Sequence, residues 1–180
     1  MTTLAALVAM RLTHDLAGPI GAISTGIDLL DDGDPELRGL IADGAASAVA
    51  SLRLHRFVLA PPEEASPARG LLAAWLKTRE ATTLDWTADP RDAAHAAILL
   101  GLAMCAAEAA PGGGRIAIDD DGVTLSGAKV RLDPGVAAAL AGGEVTVSRA
   151  ALAGVIVSVA GPIGCTPSAD GLRLAYSPKA

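Results

Sequence analysis

A chain of 180 residues with 51% hydrophobic residues has ample material for a core, yet only 2% is aromatic, so that core must be built from Ala, Leu, Val and Ile. A formal net charge of -6 and a pI near 4.9 argue against nucleic acid as the main partner, because phosphate backbones need a basic footprint. Cys105 and Cys165 are too few and too isolated for a disulfide framework or a zinc site, and they suit a reducing cytoplasm.

The apolar run from Leu4 to Met10 has no basic leader, and Arg11, His14 and Asp15 break it well short of the ~20 residues a membrane span needs. A cytoplasmic chain with no membrane partner is therefore expected. Helix one is predicted from about Thr3 to Leu30, with Thr2 or Thr3 as its cap. Val8, Leu12, Leu16, Ile20, Ile23, Ile27 and Leu30 recur at steps of three or four, the stripe of a helix packed against other helices. His14 lies roughly 200° from that stripe at about 100° per residue. Its imidazole is expected to face solvent, on a side shared with Arg11, Ala17, Gly18, Gly21, Ala22 and Thr25. Pro19 sits inside the same helix, where it deletes a hydrogen bond to the Asp15 carbonyl at a cost of roughly 3 kcal/mol. Gly18 weakens the helix further, and local inconsistency of this kind tends to mark function.

Asp31-Asp32-Gly33-Asp34-Pro35 supplies a turn, an N-cap at Asp34 and a proline at the first position of helix two. So short a link makes the two helices antiparallel neighbours. Helix two runs to just before Pro61-Pro62, and His55 falls on its buried side as a packed or interface histidine. Two helices cannot enclose a core, and a two-fold copy making a four-helix bundle is the economical cover, because such an interface buries the same stripe twice.

Pro61 to Pro67 reads as a linker between a first domain at 1–62 and a second at 66–180. The second is predicted to hold a helix at about Ser66 to Arg79, a strand at Thr83 to Thr87 and a long Ala-rich helix ending at Ala109. Arg115 to Asp119 and Val123 to Ser126 flank Asp121-Gly122 as a hairpin. Further strands are expected at Lys129 to Leu132, Val145 to Val147 and Gly171 to Tyr176, with helices at Pro134 to Leu140 and Arg149 to about Val159. The class expected is α+β, with helices packed on a mixed sheet.

His14-Asp15 with Pro19 resembles the phosphoacceptor box of histidine-kinase dimerisation domains. The fuller string His-Asp-Leu-Ala-Gly-Pro-Ile-Gly-Ala-Ile, followed by Gly-Ile-Asp-Leu-Leu, is more similar still to the ChpT-type histidine phosphotransferases of alphaproteobacterial phosphorelays. That resemblance implies a dimeric hairpin bundle followed by a degenerate histidine-kinase ATPase-like sandwich. Where such ATPase domains hold magnesium with an asparagine, this chain has Cys105, and a thiol is a poor ligand for a hard cation. Asp133-Pro-Gly135-Val-Ala137 only partly echoes the adenine segment. Ser148 to Gly154 has too few glycines to act as a phosphate lid.

The resemblance further implies a homodimer in which His14 is phosphorylated, with partners that are receiver domains of hybrid kinases and response regulators. The receivers would dock on Gly18, Gly21, Ala22 and Thr25, with Arg53 and Arg56 adding charge against an acidic surface. No cofactor of its own is expected, the magnesium belonging to the partner receiver. Neutral imidazole can attack an aspartyl phosphate unaided. Arg11 is expected to discourage imidazolium formation and to hold phosphoryl oxygens. Asp15, about 100° around the helix from His14, is expected to orient the site or touch a partner. A non-catalytic interaction module, and an ATP-using kinase or receiver phosphatase, remain the competing readings.

Overall fold

In the computed structural model, which describes residues 2–29, 34–79 and 81–177, the chain forms six α-helices and a five-stranded mixed sheet. The fold is thus α+β, as the alternation of elements predicts. Helix α1 (Leu4–Leu29) starts at a threonine cap, the Thr3 hydroxyl accepting the Ala6 amide at 3.2 Å, and runs unbroken through Pro19. Helix α2 (Pro35–Leu59) is capped by Asp34, whose carboxylate accepts the amides of Glu36 at 2.9 Å and Leu37 at 3.3 Å. Leu30 and the Asp31-Asp32-Gly33 turn lie outside the described residues. The two helices approach closely at Gly44, where an added Cβ would stand 2.9 Å from the Pro19 carbonyl oxygen. A side chain there would push the hairpin apart.

Helix α3 (Ala68–Leu76) leads to β1 (Thr82–Trp86), and α4 (Ala93–Glu108) carries the chain to β2 (Gly114–Asp119) and its hairpin partner β3 (Gly122–Ser126). Then follow α5 (Pro134–Leu140), a 3-10 turn at Ser148–Ala150, α6 (Ala151–Ala160), β4 (Gly164–Ser168) and β5 (Gly171–Ala175). The sheet order is β1-β2-β3-β5-β4, with β1 and β2 parallel and every other pair antiparallel. Period-2 alternation sends Ile116, Ile118, Val123, Leu125, Leu172 and Leu174 into the core, while Arg115, Thr124 and Arg173 keep to the opposite face.

Helix α4 is buried from Ala96 to Ala107, as a helix apolar on all sides must be. At Gly101 it comes so close to Ile156 of α6 and Val58 of α2 that an added Cβ would lie 2.8 Å and 3.3 Å from them. The core therefore does not stop at the linker: Leu54, Phe57 and Val58 of α2 belong to the same cluster as α4 and the sheet. The far half of the hairpin is different. Ile20 and Ile27 are 54% and 57% exposed, and Leu40, Val49 and Leu52 are also uncovered, while the line α1 buries within this chain is Leu7, Arg11 and Gly26.

Two expected strands do not form. Lys129 to Leu132 is irregular, its place set by the Arg131 amide donating to the Ala109 carbonyl at 2.7 Å, and Val145 to Val147 leads without pairing into the 3-10 turn. Conversely β4 was not expected, because Gly164 and Pro167 disguise it. Proline is tolerated there because β4 lies at the sheet edge. Among the described residues no helix is long and apolar enough to cross a membrane.

Candidate functional site

His14 lies one helical turn before Gly18 and Pro19, and its side chain is 83% exposed. It is nonetheless held. Its Nδ1 stands 3.2 Å from Asp15 Oδ1. Burial by itself would raise the Asp15 pKa, but His55, Arg11 and His14 together hold it well below the ordinary carboxylate range, so Asp15 is ionised and accepts only. A hydrogen bond between them needs the hydrogen on His14 Nδ1, and the neutral ring in that tautomer carries its lone pair on Nε2. Adjacent residues on a helix diverge by about 100°, yet the Asp15 carboxylate reaches back to the imidazole, and the expected separation of the two groups is corrected by that contact.

Arg11 corrects a second expectation. It does not share the solvent face with His14: it is 9% exposed, drawn inward by the Asp15 and Glu108 carboxylates and the Arg149 carbonyl. Its Nε donates to Asp15 Oδ2 at 2.8 Å, one Nη donates to Glu108 Oε2 at 3.1 Å, and the other Nη makes a short bond to Glu108 Oε1. Burial disfavours its charge, but Glu108 and then Asp15 more than compensate and raise its pKa. Most of its donors are therefore committed within the chain. It acts as the tie between α1 and the C-terminal end of α4.

The same Asp15 oxygen that accepts from Arg11 also faces α2. His55 is 3% exposed, and its Nδ1 donates to the Ser51 carbonyl at 2.9 Å. Its Nε2 lies 3.4 Å from Asp15 Oδ2, too poorly aligned for a hydrogen bond. His55 is the packed histidine its helix position predicts, and it also closes the network beneath His14.

A cleft of about 510 Å³ opens beside this network, lined by His14, Asp15, Arg11 and Glu108 together with Arg79, Cys105, Arg131, Asp133 and Arg149. Cys105 is buried within α4, and its thiol pKa is pushed up by that burial. Asp133 caps α5, its Oδ1 accepting the Gly135 and Val136 amides at 2.8 Å and 3.3 Å. Among the described residues no three His, Cys, Asp or Glu side chains cluster as metal ligands.

The other residues singled out in the sequence are spread over two surfaces. Gly18 and Gly21 open onto free space, with nothing within 4 Å of an added Cβ, and Thr25 is exposed beside them. Ala22 is half-buried and lines a groove between the hairpin and α3 with Pro19, Gly44, Ser47 and the exposed Arg53. Arg56 is exposed and lines neither opening. Sequence reasoning missed Glu108, Arg79 and Arg131, which come from elements far along the chain.

Residues 66–165 match the family described as the histidine phosphotransferase C-terminal domain. A protein phosphotransferase ChpT of Brucella abortus (strain 2308) is 40% identical over 55 residues, which cover 29% of this chain. The matched part spans 26% of the length of that curated relative. A solved structure of a bacterial phosphotransferase shares the fold, with a TM-score of 0.83 and 22% identity over 97% of this chain and 95% of that one.

Proposed function

Because this chain belongs to the family of the histidine phosphotransferase C-terminal domain, we propose that it is a phosphorelay carrier that takes a phosphoryl group from one receiver-domain aspartate and gives it to another through His14. The observation that carries this reading is the exposed His14 side chain, oriented by its Nδ1 contact to an ionised Asp15 so that Nε2 is the ring nitrogen left to meet a phosphoryl group. The Nε2 lone pair attacks the phosphorus of an aspartyl phosphate. The N–P bond forms as the P–O bond breaks, and the receiver aspartate leaves with the electron pair. The imidazole keeps its Nδ1 hydrogen and so gains positive charge, which the Asp15 carboxylate balances. Transfer onward runs the same steps in reverse.

Phosphoryl transfer is mostly positioning and charge neutralisation, and in this reading the receiver brings the magnesium its own aspartates hold. Cys105, buried and raised in pKa, is no substitute for an oxygen ligand, which disfavours ATP as the donor. The open strip of Gly18, Gly21 and Thr25 beneath His14 suits close approach of a receiver, with Ala22 and Arg53 in the adjoining groove and Arg56 exposed further along α2. The exposed Ile20, Ile27, Leu40 and Leu52 support a homodimer in which a second hairpin completes a four-helix bundle.

The test mixes the chain with a receiver domain carrying labelled aspartyl phosphate. Acid-labile, alkali-stable label should appear on the chain and pass to a second receiver, and His14→Ala should abolish it. Label persisting in that variant overturns the assignment of His14, label from ATP alone overturns the carrier reading, and binding without transfer supports the interaction module instead.

A further inference from the structure

Arg11 is largely committed to Asp15, Glu108 and the Arg149 carbonyl, which leaves open what would neutralise three anionic oxygens on His14. We propose that Arg79 and Arg131, supplied by the second half of the chain, form an anion site beside His14 and hold the oxygens of the phosphoryl group it carries. This inference rests on the reading of His14 as phosphoacceptor.

The cleft His14 lines contains four arginines, Arg11, Arg79, Arg131 and Arg149, against three carboxylates, Asp15, Glu108 and Asp133, an unusual local balance in a chain of net charge -6. The carboxylates are already matched. Arg11 takes Asp15 and Glu108, and Arg149 stands 3.7 Å from Asp133. Two cations remain.

Arg79 follows α3, its amide donating to the Leu76 carbonyl at 2.9 Å, and its guanidinium lies 4.3 Å from the centre of the Trp75 ring. Stacking on an indole restrains the guanidinium while leaving the N–H groups at its edges free to donate. It is half-buried and makes no hydrogen bond to a carboxylate among the described residues. Burial lowers its pKa, and only the more distant charges of Glu108 and Asp15 offset that burial. A held, incompletely neutralised cation of this kind is what an anion would complete. Arg131 stands on the cleft wall, fixed through its own amide to the end of α4, and its side chain is exposed with no ion pair among the described residues.

The chemistry of the ligand follows from the donors. A guanidinium presents paired N–H groups that match two oxygens of one phosphoryl group, and two guanidiniums can cover all three. The only phosphoryl position this reading provides in the cleft is His14 Nε2. On this account the second half of the chain completes the acceptor site rather than merely carrying it.

Phosphoramidate tests the site without a partner: His14 Nε2 attacks its phosphorus, the P–N bond breaks and ammonia leaves with a proton. At fixed phosphoramidate the wild-type chain should label at His14, and the double variant Arg79→Gln, Arg131→Gln should hold about ten-fold less label, the scale of one or two charge-assisted hydrogen bonds. Its phosphohistidine 31P resonance should move, and the Arg79→Lys, Arg131→Lys pair should recover part of the labelling while leaving thermal unfolding unchanged. Labelling and resonance that match wild type in the Gln pair overturn the site, even if transfer to a receiver slows, since that pattern belongs to docking. No label on His14 in the wild type also overturns it. Wild-type label that depends on the arginines but passes to no receiver overturns the relay reading and leaves the anion site standing.

Discussion

The two halves of this molecule bury their apolar residues to different degrees. In the sheet and the helices upon it nearly every large apolar side chain is inside, and Val147 and Val159 are the exceptions at 47% and 68% exposure. On the hairpin Met10, Ile20, Ile27, Leu29, Leu40, Val49 and Leu52 are all more than 40% exposed. The sandwich half leaves little of its core uncovered. The hairpin contributes Leu54, Phe57 and Val58 to that core and leaves its far end uncovered. The lesson is that apolar periodicity reports which residues want cover, not who provides it.

The sharpest break in the comparison comes from Leu100 in α4, which is fully buried. Leu100→Ala should cost about 2–5 kcal/mol, read by denaturant unfolding, because it leaves a cavity where all of α4 is enclosed. Next is Glu108→Gln, which removes the carboxylate that holds Arg11 and ties the halves together. About 1–3 kcal/mol should be lost, and the Asp15 and His14 resonances should shift as Arg11 reorients.

Acid should act on the same tie. The Asp15 pKa is lowered in the folded chain, so its contribution is fully present above the ordinary carboxylate pKa near 4 and is lost as pH falls below that toward its folded value. The Asp119 pKa is lowered as well, by the Arg173 guanidinium 2.7 Å away, but on an open sheet face. Arg173→Gln should therefore change stability by about 0.2–1 kcal/mol at most, and salt should erase the difference. Smallest in unfolding energy and most telling for the hairpin are Ile20→Lys and Ile27→Lys. Each should leave the stability of the lone chain within about 0.5 kcal/mol, while light scattering reports a smaller particle than wild type. An unchanged particle size would mean that no second hairpin covers this face.

Much of the architecture is legible in the residues because it depends on local rules. Thr3, Asp34 and Asp133 cap helices, Asp121-Gly122 turns a hairpin, and α4 announces its burial by lacking a polar side. Lys129 to Leu132 reads as a strand and β4 does not, because pairing is a property of neighbours: the first segment has no strand beside it, and the second has β5 to pair with despite Pro167. His14 and Asp15 stand out through the cost of Pro19. Arg11 was placed on the wrong side because its partner Glu108 is 97 residues away, and no helical spacing carries that information. Arg79 and Arg131 escaped for the same reason, since only the fold brings them to one cleft.

The bond from Arg11 to Glu108 also has a kinetic meaning. Enzymes that must close over a substrate commonly wait on a domain or lid to move before they can work. Here the histidine-bearing helix is fastened to α4 through Arg11 and Glu108, so one internal coordinate has been given up. On the proposed reading a visiting receiver would meet a surface that is already assembled, and the frequency of productive encounters would be set by diffusion and charge rather than by the opening of a gate.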